Sequence, residues 1–483
     1  MSVASISVGT SGILTPSMVK QTNSGSYLDF TSSGVAGWAQ QYVPELYESE
    51  VERYGDRSIG GFLKVVGAEM PMASDQVVWS EQGRLHLAYK AVLDTNACTV
   101  GTITDIDSES TTVTHALRVG TTVVCQIADG TGDVAVVTAQ VTDAGTDGAD
   151  WTMKPYGAAT FDALDNITDV TNATLYAYAV GSDFAKGSEN ILNAVEPEFK
   201  SFTNKPIIIK DRYVINGSDT AQIGWVEVSG EAGQSGYLWY LKAEGDTRKR
   251  FEDYLEMSVI EGRTKNATGS VSVVTGTGTE GLFEAIEDRG MVATNMFDTA
   301  DDDLADFDSL IGELDKQGAI EENMLFLDRT SNLGFDNMLA AVNSNYEGGS
   351  AYGVFNNDKN MALNLGFTGF RRGSYDFYKT DWKYLNNKSA RGLVNNNATS
   401  GKVAGVLIPA GTSSVYDQGL GKNIKRPFLH VRYRASEADD RKLKTWITGS
   451  VGAANSSVDD MNIHYLSERC LVTQAANNFV LFR

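Results

Sequence analysis

Basic residues are few. The 483 residues include 40 Lys and Arg against 62 Asp and Glu, a net charge of −22. Such a surface repels phosphate, which excludes high-affinity DNA or RNA binding. It does not exclude a container for DNA, which must avoid sticking to its cargo. Cysteine is scarce: Cys98, Cys125 and Cys470. An odd, sparse set argues against a disulfide framework and fits a reducing compartment. Cys98 and Cys125 could meet inside one small β domain, but they read as buried thiols. No apolar run approaches about 18 residues, so no segment reads as a membrane span. The N-terminus, MSVASISVGTSGILTPSMVK, lacks the basic start and apolar core of a secretory signal.

Catalytic signals are also missing. His86, His115, His430 and His464 lie outside metal-ligand spacing of any other His or Cys, so they read as surface or core histidines. No G-x-S-x-G, H-E-x-x-H or G-K-[ST] stretch occurs. The acid-rich segments DIDSES (105–110) and TADDDLADFD (299–308) lack the Gly and distal Glu of a calcium loop. No enzyme activity, cofactor or metal is expected.

What the chain does have is glycine, 48 residues against 8 prolines, among many Ser, Thr, Asn and Asp, the composition of frequent turns. Its length suits two or three domains. Residues 1–37 carry only Lys20 and Asp29 as charges and hold no lasting period, so they read as an extended arm that orders on a partner. AQQYVPELYESEVERYG (39–55) reads as a short helix, with Pro44 in its first turn and Gly55 at its end. Strand-like runs flank EQG within 76–92. Residues 96–180 are short strands with Gly/Asp turns, as in TTVVCQIADGTGDVAVVTAQVT, and predict an inserted small β barrel or sandwich. Strands follow at 205–215 and 223–228. After a long helix come the strand VSVV (271–274), the helix LFEAIEDRG (282–290) and an amphipathic helix over 299–318 with acids in its first turn. The strand NMLFLD and the helix LGFDNMLAAVN come next. The last 80 residues return to strands.

Two segments raise functional questions. Gly276, Gly278 and Gly281 form G-x-G-x-x-G between a strand and a helix, the context of a dinucleotide site. No clear second parallel strand with one ribose-binding acid follows, so a plain Gly-rich turn is the expectation. GFRRGSYDFYKTDWKYLNNK (369–388) mixes Arg371, Arg372, Lys379 and Lys383 with aromatics. That mix serves single-strand binding or a protein–protein contact, and in a chain this acidic the contact is favoured over nucleic acid. An ordinary structured loop is the third reading.

LWYLKAEGDTRKRFEDYLEMSVIEGRTKN (238–266) reads as one long helix. Tyr237, Leu241, Phe251, Leu255 and Val259 fall on one stripe, with Tyr240 and Tyr254 beside it. Glu244 and Arg248 fall on the same stripe with Gly245 between them. Either they form a local i,i+4 ion pair where the helix bends at Gly245, or a neighbouring subunit crosses there. Glu244, Arg248, Arg371 and Arg372 are therefore the candidate assembly residues.

This order of elements resembles the major capsid protein of tailed double-stranded DNA bacteriophages, the Hong Kong 97-type fold. MSVASISVGTSG…GVAG is similar to the family's arm. QVVWSEQGRLHLAYKAV and KPIIIKDRYVINGSDTAQIGWVEV resemble the two limbs of its extended loop, and 238–266 its spine helix. The ending MNIHYLSERCLVTQAANNFVLFR resembles a capsid-protein tail of the crAss-like phage group. The extra β module is a departure from the family's basic plan.

The resemblance implies an α+β fold. The arm would span 1–38, an entry helix and linker 39–75, and the first loop limb 76–95. The inserted β domain would span 96–180 and the second limb 181–228. A peripheral domain with the spine helix would occupy 229–300, a mainly axial domain 301–425, and C-terminal strands of both domains 426–483. It implies a chain that self-assembles through pentamers and hexamers into an icosahedral virion capsid, built in the bacterial host cytoplasm. Portal, scaffold or decoration proteins would be partners. Double-stranded DNA would be enclosed without sequence-specific binding, and no membrane would be involved. An acidic wall suits that task, since motor-driven packaging needs no basic interior. The alternatives are a phage tail or baseplate protein, or a secreted surface-layer protein. A nicotinamide enzyme, resting on the Gly cluster alone, comes third.

Overall fold

The computed structural model describes residues 69–93, 98–104, 106, 112–128, 134–164, 170, 172–189, 191, 194–196, 199–220, 228–229, 235–236, 239–264, 278–294, 296, 303–318, 320–344, 368–397, 401–410, 412–417, 422–451 and 454–483. The arm, the helix expected at 39–55, the strand at 271–274, most of that at 223–228, Tyr237 and Gly276 lie outside the described residues. The fold is mixed α and β, with strands dominant. It divides into two units, residues 80–202 and the remainder. The chain passes between them along β2 (Val77–Gln82) and β9 (Phe199–Asn204), which form a two-stranded ribbon.

The smaller unit is a closed six-stranded barrel. Its strands are β3 (Ala88–Leu93), β4 (Thr99–Thr104), β5 (Thr121–Ala128), β6 (Val134–Asp143), β7 (Trp151–Pro155) and β8 (Ala173–Ser182), in the order β3-β4-β7-β6-β5-β8. Alternation builds it: Val123, Cys125 and Ile127 of β5 point inward, as do Leu175 and Ala177 of β8. Trp151, Phe161 and Leu93 fill the centre. Register shifts at Lys90/Val92, Thr122/Val123 and Val141/Asp143 add the local bends that closure needs. The barrel takes in β3, which the sequence analysis placed in a loop limb ending at residue 95. Alternation marks β3 as a strand but does not say which sheet it joins.

The larger unit holds two main sheets. The first is β1 (Glu69–Met72), β20 (Leu429–Arg434), β22 (Asp460–Thr473) and β10 (Ile207–Asn216), with β21 (Lys444–Gly449) also on β22. β22 is the axis: antiparallel β10 runs along one side from Asp460 to Arg469, and β21 and β20 share the other. The second sheet has the order β13 (Met291–Ala293), β23 (Val480–Phe482), β17 (Gly405–Pro409), β14 (Glu322–Leu327), β16 (Tyr375–Asp381), β15 (Thr368–Arg372). Small hairpins join β11 (Val228–Ser229) to β12 (Ser235–Gly236) and β18 (Thr412–Asp417) to β19 (Lys422–Pro427).

Helix α1 (Trp239–Ile260) packs on the first sheet, where Phe251 and Leu255 meet Ile215, Met461, Ile463 and Tyr465. The end of α1 and helix α2 (Leu282–Arg289) enter a core shared by both sheets, with Phe326, Val406 and Ile408 from one and Leu429, Val431 and Leu471 from the other. On the opposite face of the second sheet, α3 (Asp303–Lys316) and α4 (Arg329–Ser344) supply Phe307, Leu314 and Phe335 against Leu325, Phe370 and Phe377.

Candidate assembly interface

The apolar stripe of α1 is buried where it is described: Phe251, Leu255 and Val259 are core residues, while Tyr254 is exposed. The Phe251 and Tyr465 rings lie 5.7 Å apart. The helix is six residues shorter at its C-terminal end than the sequence pattern suggested. It stops where Gly262 passes under residues 279–281, so close that a Cβ at Gly262 would lie 2.8 Å from the Thr279 carbonyl oxygen.

Glu244 and Arg248 do not pair with each other. Arg248 pairs forward with Glu252 at 3.3 Å, and Glu244 accepts a hydrogen bond from the Tyr465 hydroxyl at 3.4 Å. The helix runs unbroken through Gly245, which has open space where a Cβ would stand. An isolated glycine costs a helix only about 1 kcal/mol, which tertiary packing overrides. Arg250 reaches Asp211 on β10 at 3.5 Å, a second polar tie between α1 and the sheet. Arg469 lies buried near Glu69 and Glu256; burial lowers its affinity for the proton and the acids oppose that.

Arg371 and Arg372 sit on β15, an outer strand of the second sheet. Arg371 pairs with Asp376 at 3.4 Å across the β15–β16 hairpin, and Arg372 forms a two-pronged pair with Asp308 of α3. The aromatics interleaved with them are core: Phe370, Tyr375, Phe377, Trp382 and Tyr384 are buried. Lys379 is buried too, paired with Asp336 beneath α4. A row of aromatics available for stacking on bases is thus absent from the described part of this segment.

Gly278 and Gly281 serve backbone packing. Gly278 has φ +75° and bridges to Thr264, and the Gly281 N–H donates to the Gly262 carbonyl at 3.1 Å. A Cβ on Gly281 would lie 2.5 Å from the Gly262 nitrogen. Glu284, in the first turn of α2, accepts from the Thr264 N–H at 2.8 Å. Asn204, buried at the end of β9, holds the same turn: its amide donates to the carbonyls of Leu471 and Glu280, and its oxygen accepts from Glu280 N–H, Lys205 N–H and the Thr279 hydroxyl. Nearby Glu280 is shifted up by burial, against the pull of Arg289 at 2.7 Å.

The end of α1 is fastened by residues the sequence reading passed over. Glu261 accepts from Arg391 at 2.9 and 3.1 Å and from the Tyr384 hydroxyl at 2.8 Å. These come from α5 (Lys383–Asn386) and α6 (Arg391–Asn397). Burial and the adjacent carboxylate push the Tyr384 phenol far up.

Three of the four histidines and all three cysteines are packed into the fold. His115 is buried, with one ring nitrogen 2.7 Å from the Asp150 carbonyl and the other accepting from Leu117 N–H. His430 is buried beside the Pro427 carbonyl, His464 stacks on Trp446, and His86 is exposed. The three cysteines are free and buried. Among the described residues no group of three or more His, Cys, Asp and Glu side chains could hold a metal, and no helix is long and apolar enough to cross a membrane.

No protein-family model and no curated protein matches the chain. Among solved structures it is similar to one from Microbacterium phage Oxtober96, at 8% identity and a TM-score of 0.39, covering 91% of this chain and 95% of that one. It is also similar to the capsid structure of cyanophage P-SCSP1u, at 10% identity and a TM-score of 0.35, over 63% of this chain and 79% of that one. The mature capsid of bacteriophage PhiM1 matches at 9% identity and a TM-score of 0.31, over 63% and 78%.

Proposed function

We propose that this chain is the shell-forming subunit of a tailed double-stranded DNA phage, with a Hong Kong 97-type fold, assembling with copies of itself into a closed icosahedral capsid. One arrangement carries the reading. A 22-residue helix, about 33 Å long, lies across β10 and β22 and ends in the apolar core that both sheets share. A helix so placed ties two sheets into one stiff plate, which a thin container wall requires. In this reading the first sheet with α1 is the peripheral domain and the second sheet with α3 and α4 is the axial domain. The barrel is an insertion in the extended loop.

The chemistry of the chain suits a container. Its net charge of −22 keeps the wall from binding enclosed DNA. Several of its described ion pairs fasten elements to each other, as Glu261–Arg391 and Arg372–Asp308 do. Portal, scaffold or decoration proteins would complete the particle in the bacterial cytoplasm.

Gradient sedimentation of the purified chain tests the reading. Assembly predicts fast-sedimenting particles above a threshold concentration, whereas a tail, baseplate or monomeric protein would stay near the top. Arg248→Glu then probes α1. Its partner Glu252 is an exposed i,i+4 acid, so losing that pair costs only about 0.5 kcal/mol. If a neighbouring subunit crosses α1 there, the variant leaves folded subunits without particles. Normal particles would remove Arg248 from the interface.

A further inference from the structure

The barrel has one outer wall unlike the rest of the chain. Register places Val136, Gln126 and Tyr176 in one row across β6, β5 and β8, and Thr138, Val124 and Tyr178 in the next. Val136 is 71% exposed, Val180 60% and Tyr178 54%; Val134, Tyr156 and Tyr176 are also exposed. Tyr156, just past β7, extends the wall beyond β6, its hydroxyl 3.1 Å from that of Thr122 and 3.4 Å from the Asp183 carboxylate. No acidic residue occurs within 122–128, 134–140 or 174–180, although acids outnumber bases by more than two to one over residues 80–202. The acids Asp143, Asp147 and Asp150 stand at or beyond the strand ends.

We infer that this wall packs against the same wall of a second copy of the chain. Three valines and three tyrosines leave roughly 600 Å² of largely apolar side chain exposed, by typical side-chain areas, at the upper limit for a patch on a monomer. Paired with itself, the wall would bury about 1,200 Å² in total, the lower bound for a specific interface. Valines offer no hydrogen bonds, so half of the patch is wasted on a sugar or a phosphate and suits another apolar protein surface. The rows through β6, β5 and β8 carry no carboxylate, and the nearest acid, Asp183, sits at the margin, where it accepts from the Tyr156 hydroxyl at 3.4 Å, so the centre of the wall can face itself without bringing acids together. Its cations stand at the margins, Lys90 on β3 with its amine 5.5 Å from the Tyr176 ring centroid and exposed Lys154 on β7 opposite Gln140, both away from the centre at Gln126. The inference rests on the shell reading in one respect: a weak contact of this size holds when many neighbouring copies make it at once.

The test uses the full-length chain with Gln126→Cys, since the three native cysteines are buried. Under mild oxidation, over a concentration series that reaches the assembly threshold, this variant should form disulfide-linked dimers. Adding Val136→Glu and Tyr178→Glu, both exposed positions, should slow dimer formation at least tenfold while circular dichroism stays unchanged. Linkage that is absent, or equally fast with the two glutamates, overturns the inference, and would point to an arm segment or a different protein on the wall. Shells that form while the Gln126→Cys thiol stays unlinked overturn it and leave the capsid reading standing. Linked dimers with no particles at any concentration do the reverse.

Discussion

Glu261 and Arg391 lie 130 residues apart and meet at 2.9 Å, where the end of the long helix joins the short helices beside the second sheet. Both side chains are partly buried, and Tyr384 donates to the same carboxylate. The cluster fixes the direction in which α1 enters the shared core. Arg391→Ala leaves Glu261 with one partner and should cost about 2 kcal/mol, within the range for breaking a partly buried pair. Urea unfolding measures it, and a double-mutant cycle with Glu261→Gln should return a coupling of at least about 1 kcal/mol. Additive losses would show that the pair does not hold the helix.

Two glycines should respond in opposite directions. Gly245→Ala adds a methyl group into open space in mid-helix and should stabilise by about 0.5–1 kcal/mol. Gly281→Ala drives a methyl group into the Gly262 backbone and should cost at least about 2 kcal/mol. Thermal melts of both variants decide it. A destabilising Gly245→Ala would show that the helix needs glycine at that position.

Trp151 fills the centre of the barrel. Trp151→Ala should remove about 3–5 kcal/mol and lower the melting of residues 80–202 alone, leaving a separate transition for the larger unit. A single shared transition, moved as a whole, would mean the barrel does not fold on its own.

Alkaline pH should destabilise the fold. Burial pushes the Cys125 and Cys470 thiols up to about 12, and burial with nearby Glu244 pushes the Tyr465 phenol up to about 12. Unfolded thiols ionise near 8.5 and phenols near 10. The unfolded chain therefore releases protons first, so stability present below about pH 8.5 is lost progressively towards pH 12. Denaturation midpoints across that range check the sign. In native protein at pH 9 a thiol reagent should find no reactive cysteine, and in denaturant it should find all three.

The parts of the fold that alternate or repeat were legible in the chain. KPIIIKDRYVI predicted β10, and the Phe251, Leu255, Val259 spacing predicted the buried stripe of α1. What failed was partnership over long distances. β3 reads as a strand either way, and only its pairing with β8 makes it a barrel wall. Asn204 holds Leu471 from 267 positions away, and no local pattern marks it. The glycines at 278 and 281 match a phosphate loop because both uses need backbone in close approach; here the approaching backbone is the chain's own, Thr264 beside Gly278 and Gly262 beside Gly281. The aromatics at 370–384 looked available for contact, yet burial depends on α3 and α4 closing over most of them.

The most direct test of the account is electron microscopy of the purified, concentrated chain. Closed shells of uniform size, with α1 lying in the plane of the wall, are the predicted result. Dispersed subunits at every concentration, or only open tubes and flat sheets, would contradict it.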